Sequence, residues 1–324
     1  MGNPIKEEQG MYVVKHNDLI KARYNLTTQQ QKIILYAISK IKPTDKLGTW
    51  YELSIEDLCK TCGLIMDDTG YYYKSIKEDL QKLTNRLWIK MPDKKEMTIS
   101  WIGDAIIVPL SGTIHIKFHE AIQEYLFLLS EHYTQYKLES VLAFNNKYSI
   151  RLFELLKMQV KQSRIEKGWE EQIKYSIQEL RDLLAVEGYS RWAEFKRNII
   201  DKAVNEINTY SDIFRISCEF QKNGKNIETI VFIVSQPTET EKYIAHQEAR
   251  ERLKLQRKPS KKTIEKQEKA RKLSERRKEI ETRLSLNPSF EELQESNREL
   301  LEINKEMEIL YQGPEEKKKK GVKK

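Results

Sequence analysis

The 324-residue sequence predicts an α+β protein of two tandem winged-helix domains followed by a charged, coiled-coil-like helical arm. Three observations lead there. The order helix, strand, helix, longer helix, hairpin occurs twice; a short motif recurs in both copies, LSIEDL at 53–58 and YSIQEL at 175–180; and the composition changes abruptly after Pro237.

Residues 1–10 read as a disordered lead and 11–130 as the first winged helix. A short helix over 17–24 precedes one over 28–42, where Thr28 and Gln31 form a capping-box pattern and Ile34, Ile38 and Ile41 repeat at helical spacing until Pro43. A strand over 50–53 leads to Ser54, which caps a helix over 55–62 with Asp57 three residues on. The longer helix over 71–85 carries Tyr72, Ile76, Leu80 and Leu83 on one stripe. A hairpin over 86–102, turning at PDKK, reads as the wing, with an added strand over 113–118 and a helix over 121–129. Residues 131–146 read as the connector between the halves.

The second winged helix spans 147–237. Its first helix, 147–160, presents Ile150, Phe153, Leu156 and Val160. A strand over 173–175 and a Ser176 cap precede a helix over 177–184. The long helix over 190–208 has Trp192, Phe195, Ile199, Ala203 and Ile207 as its core stripe. IFRISCEF and IETIVFIV then flank a KNGK turn, in which Asn223-Gly224 is a strong hairpin signal.

The net charge is +8, unevenly distributed: residues 239–324 carry 24 Lys/Arg against 18 Glu and no Asp, while 1–238 are nearly balanced. The DNA-binding case for the globular part therefore rests on where its charges sit. Residues 238–311 read as the helical arm, a basic stretch (250–283) followed by an acidic one (291–316) with Leu293, Leu300, Ile303, Met307 and Leu310 as its seam and Ser289/Glu292 as a capping box; the pattern reads as a basic helix folding back on an acidic one, or as a coiled-coil arm for a partner. Residues 312–324 read as a disordered basic tail. Three cysteines, no long apolar run and no signal-peptide core point to a cytoplasmic, non-membrane protein.

A winged helix places its last helix in the major groove and its hairpin on the neighbouring backbone. Projecting the second long helix at about 100° per residue sets Ser190, Glu194, Arg197 and Asn198 opposite the core stripe. Arg191, Lys196 and Lys202 add positive charge, although Lys196 projects near the apolar arc and takes a phosphate or structural role. Arg215, Lys222 and Lys225 supply the wing. In the first domain, Lys74, Lys77 and Gln81 share a helix face and Lys94 and Lys95 sit at the expected wing turn, with Asp67 and Asp68 opposing phosphate nearby. A plain solvated face is the competing account of both sets. Cys59-Lys-Thr-Cys62 has metal half-site spacing but no second ligand pair, so it reads as structural. His115 and His119 are spaced too far apart for the metal-binding pair of a nicking enzyme. No catalytic constellation, cofactor motif or metal site emerges, and the expected protein is not an enzyme.

Three blocks carry a family resemblance: HNDLIKARYNLTTQQQKIILYAI (16–38), TQYKLESVLAFNNKYSIRLFELLKMQV (134–160) and SRWAEFKRNIIDKAVNEINTYSD (190–212). In this order they resemble the iteron-binding plasmid replication initiators, over roughly Tyr12–Val234 and not in the arm. The resemblance implies recognition of repeated double-stranded DNA sites at an origin, recruitment of the host replication initiator and helicase, and homodimers through the first winged helix that repress the protein's own gene and limit plasmid copy number. The alternatives are a winged-helix transcriptional regulator without origin activity and, in another class, a nicking replication enzyme.

Overall fold

The computed structural model describes residues 11–64, 71–85, 87–90, 96–108, 112–127, 129–224, 226–256, 261–285 and 289–311. They fall into a larger compact unit holding both winged helices and a smaller one made mainly of the last two helices. Among the described residues, no helix is long and apolar enough to cross a membrane.

The first winged helix comprises β1 (Tyr12–His16), α1 (Asn17–Lys21), α2 (Thr28–Ile38), β2 (Trp50–Ser54), α3 (Ile55–Cys62), α4 (Tyr71–Thr84), β3 (Leu87–Lys90), β4 (Glu96–Ile99), β5 (Ile102–Val108), β6 (Thr113–Phe118), α5 (Glu120–Gln123), β7 (Tyr133–Lys137) and α6 (Glu139–Leu142). The capping box of α2 lies one residue earlier than expected, on Thr27 and Gln30. Gln31 instead turns inward and donates to the carbonyls of Leu26 and Lys147, both at 3.2 Å. The expected 121–129 helix shrinks to the single turn of α5.

The expected wing is corrected. Among the described residues β3 and β4 pair only with each other, whereas β5 and β6 complete a three-stranded sheet in the order β2-β6-β5. Ile114, Ile116 and Phe118 alternate inward along β6 and are fully buried, which requires a central strand with one face on the core. The hairpin that closes this sheet is thus β5–β6, and β3–β4 is an additional ribbon.

The second domain repeats the plan with α7 (Lys147–Gln159), α8 (Gln162–Ile165), β8 (Glu171–Ser176), α9 (Ile177–Leu183), α10 (Trp192–Phe195), a π-turn (Lys196–Ile200), α11 (Asp201–Tyr210), β9 (Arg215–Asn223) and β10 (Asn226–Ser235). Its sheet order, β8-β10-β9, is again first, last, middle strand. The recurring sequence motif does the same job twice. Ser54 and Ser176 end the first strand of each sheet and accept the Asp57 and Glu179 N–H groups, each at 3.1 Å, while Leu58 and Leu180 are fully buried. Asn223 and Asn226 pair across the wing turn, where Gly224 takes the left-handed φ of 61° that a tight hairpin demands.

Residues 131–146 are more than a connector. β7 pairs antiparallel with β1 along its whole length. A polar cluster inside this region fastens the two winged helices. Lys15 of β1 ion-pairs with Glu154 of α7, and Tyr136 of β7 donates to the same carboxylate at 2.5 Å. Arg151 of α7 donates to the carbonyls of Ile20 (2.7 Å), Ala22 (2.9 Å) and Leu183 (3.2 Å) and to the Tyr24 hydroxyl (2.6 Å). Lys15, Arg151 and Glu154 are at most 2% exposed.

Beyond Pro237, α12 (Glu239–Gln256) lies along α11: Ala245 is fully buried, and Arg252 donates to Glu206 (2.8 Å) and to the Tyr210 hydroxyl (2.5 Å). This helix therefore belongs with the winged-helix body. α13 (Lys261–Leu284) and α14 (Phe290–Tyr311) form the expected basic–acidic hairpin, around Leu273, Ile280 and Ile303. Ser289 and Glu292 cap α14 reciprocally, at 2.8 and 3.4 Å. Of the seam, Leu300 and Ile303 pack inward and Leu293 is exposed, while the side chains of Met307 and Leu310 lie outside the described ones.

Two outcomes follow. Glu154→Ala leaves two buried cations uncompensated and should cost about 3–5 kcal/mol, read from the urea midpoint. A chain ending at Gln256 should unfold at the same midpoint as the larger unit of the full protein. One ending at Pro237 should be weaker by about 1–3 kcal/mol, because Glu206 loses a charged partner and the α11 face is uncovered.

Candidate nucleic-acid interface

The second long helix is anchored through Phe195, Ile199, Ala203 and Ile207, all fully buried, with Trp192 packed edge-on against Phe220 of β9 at 5.2 Å between ring centres. The chain enters it by a tight turn with positive φ at Ala185, Gly188 and Tyr189. Arg181 of α9 braces that turn. Its guanidinium donates to the carbonyls of Gly188 (3.5 Å), Tyr189 (2.8 Å) and Ser190 (3.4 Å) and lies 4.1 Å from the Phe195 ring centre. Nothing in the sequence marked Arg181, because its partners are backbone carbonyls in a loop rather than a patterned side chain.

The helix then presents Ser190, Arg191, Arg197 and Lys202 to solvent, with Glu194 and Asn198 half-buried beside them. Arg and Asn are the side chains that pair bidentately with guanine and adenine edges, and a major groove about 12 Å wide admits one helix. Lys222 is exposed at the end of β9, next to the wing turn, while Lys225 lies outside the described residues.

The side chains of two candidates are engaged within the protein. Lys196 donates to both carboxylate oxygens of Asp201, at 2.7 and 2.9 Å, so of the two roles considered for it the structural one is occupied. Arg215 is turned into the protein: it donates to the carbonyls of Ser211 (2.6 Å), Phe214 (3.3 Å) and Glu241 (3.0 Å), and its side chain is only 16% exposed. It joins the first wing strand to α12 rather than facing outward. The reason is that Glu241, distant in sequence, offers both a carbonyl and a carboxylate, the latter at 3.7 Å.

In the first domain, Lys74, Lys77 and Gln81 are exposed along α4, with Glu78 exposed among them. Lys94 and Lys95 lie outside the described residues, as do Asp67 and Asp68, and the β3–β4 ribbon they were assigned to is not the hairpin that closes the sheet.

The residues that hinted at other chemistry have structural tasks. Cys59 and Cys62 are fully buried, and burial pushes both thiols up to about 12. His115 faces Glu52 across the sheet at 4.0 Å, and His119 caps α5 by accepting the Ala121 N–H. Among the described residues no group of three or more His, Cys, Asp or Glu is arranged to hold a metal.

Comparison with known proteins places the two winged helices in a family. Residues 12–157 match the family described as Initiator Replication protein, WH1, and residues 176–234 match Initiator Rep protein, WH2. A curated Replication initiation protein of Escherichia coli is 28% identical over 230 residues, which is 69% of this chain and 69% of that protein. Among solved structures, the crystal structure of Pi initiator protein in complex with iteron DNA is similar at a TM-score of 0.56 and 19% identity. It covers 72% of this chain and 100% of that one, a likeness of fold. With both winged helices matched in order over well over half its length, the chain belongs to the initiator Rep protein family.

Proposed function

We propose that this chain initiates plasmid replication by binding repeated double-stranded DNA sites at an origin, reading base edges with the helix that starts at Trp192. The observation that carries this is that Arg191, at the start of the helix, and Arg197 and Lys202 along it are exposed while Phe195, Ile199, Ala203 and Ile207 of the same helix are fully buried, beside a wing strand that carries the exposed Lys222. The similar Pi initiator is known bound to iteron DNA, and the same mode of binding is proposed here. Ser190, Glu194 and Asn198 complete the reading set, and Lys222 reaches the backbone. Lys74, Lys77 and Gln81 of α4 give a second, weaker contact whose neighbouring Glu78 lowers its pull on phosphate. Recruitment of host initiator and helicase, and repression of the chain's own gene by dimers joined through the first winged helix, belong to the same proposal.

A footprint on DNA flanking the gene tests it. Protection of direct repeats beside an AT-rich stretch supports an initiator; a palindromic operator without origin activity supports a transcriptional regulator instead. The Arg191→Ala/Arg197→Ala double variant should keep its circular dichroism and lose specific binding, at about 1–3 kcal/mol for each base contact removed. Unchanged affinity for the specific site rules this helix out as the reader. Wild-type affinity should fall with salt at a log–log slope near −5, as expected for about six phosphate contacts, and a slope near zero contradicts groove binding.

A further inference from the structure

The buried stripe Phe195, Ile199, Ala203, Ile207 is spaced four residues apart throughout. In an uninterrupted α-helix, residues four apart drift by about 40° per step, so this stripe would wind by about 120° around the helix. The π-turn at Lys196–Ile200, closed by the Asp201 N–H donating to the Lys196 carbonyl, admits one extra residue and takes back about 100° of that drift. The same correction keeps the outer face in line. Ala193, Arg197, Asp201 and Asn205, also four apart, are all exposed.

One side chain spans the turn. The Lys196 ammonium is bound by both Asp201 oxygens and lies 5.4 Å from the ring centre of Phe220 in β9, the ring that Trp192 meets from the preceding turn. This clamp ties the start of the helix, the π-turn and the wing strand together. It also neutralises Asp201, which stands in the outer stripe between Arg197 and Asn205 and would otherwise repel a phosphate backbone.

We propose that Lys196 is a positioning residue for sequence discrimination. It makes no DNA contact; through Asp201 and Phe220 it fixes the π-turn, so that Arg197 and Asn198, which lie within that turn, face the base edges. The proposal rests on the reading of this helix as the DNA reader.

The test uses the full-length chain and two duplexes of equal length, one carrying the footprinted repeat and one unrelated, titrated across a range of salt. Lys196→Met/Asp201→Asn removes the clamp without changing net charge and keeps an aliphatic stem over Phe220. Exposed ion pairs add little to stability, so the variant should stay folded by circular dichroism. The ratio of specific to unrelated affinity should fall about tenfold or more while the salt slope stays the same. Lys196→Arg, which preserves the pair, should keep the ratio. An unchanged ratio in the double variant, or a ratio lost in Lys196→Arg, overturns the proposal. Equal weakening on both duplexes with a slope reduced by about one also overturns it, by making Lys196 a phosphate contact. Arg197→Ala separates the two claims: an unchanged ratio there removes the reading helix itself, and the proposal with it.

Discussion

Glu154 is the group on which the arrangement of the two winged helices depends. Its carboxylate is buried together with Lys15 from β1 and Arg151 one turn away on α7, and it accepts the Tyr136 hydroxyl as well. Dehydrating three charges costs several kcal/mol each, and apolar residues of the same volume would pack the site at less expense. Polar groups add direction. Arg151 reaches backbone carbonyls at Ile20 and Ala22 in the first domain and at Leu183 in the second. An apolar contact tolerates a small rotation of one domain against the other, but a guanidinium whose two terminal nitrogens are held by three carbonyls and a tyrosine hydroxyl does not.

A second polar link runs parallel to the first. Glu206 of α11 accepts the N–H groups of Asn145 and Asn146, at 3.1–3.2 Å, just where the chain passes into α7, and it is held in turn by Arg252. Lys32 of α2 is buried close by, and desolvation lowers its ammonium to about 8. The long helix of the second domain is therefore fixed at its buried face to the domain junction and to α12, while its outer face stays free for a ligand.

Much of this was legible in the sequence because it is local. A serine cap with an acid or amide three residues on, an Asn-Gly turn and a stripe at helical spacing are each written within a few residues, and they placed the caps, the second wing and the long helix. The strand pair β1–β7 was not legible, because its partners are some 120 residues apart and its inward alternation contains a lysine. Lys15 looks solvent-bound until Glu154 arrives from another domain. The first wing was misplaced for a related reason: the PDKK turn is the strongest local signal, but sheet closure is decided by β6 pairing on both edges. At the site, the exposure of Arg191, Arg197 and Lys202 follows from periodicity, whereas the partners of Arg215 and Lys196 do not. Lys196 and Asp201 are five residues apart, outside the three- and four-residue pairs of a regular helix, and only the π-turn brings them together.

The arm shows how pattern and packing divide the work. Its charge order correctly pairs α13 with α14, yet charge alone holds little. Lys269–Glu306 (3.7 Å), Arg276–Glu299 (3.7 Å) and Arg283–Glu299 (3.9 Å) are long, mostly exposed contacts that salt screens. Burial falls to Leu273, Ile280 and Ile303, with Leu284 and Leu300 packed against them. Opposite charges thus select which helix lies against which, and a few aliphatic side chains hold them there. α12 buries Ala245 on α11. A change of composition at Pro237 marks where the sequence becomes charged; the end of the DNA-binding body is set later, at Gln256, by what each helix has to pack against.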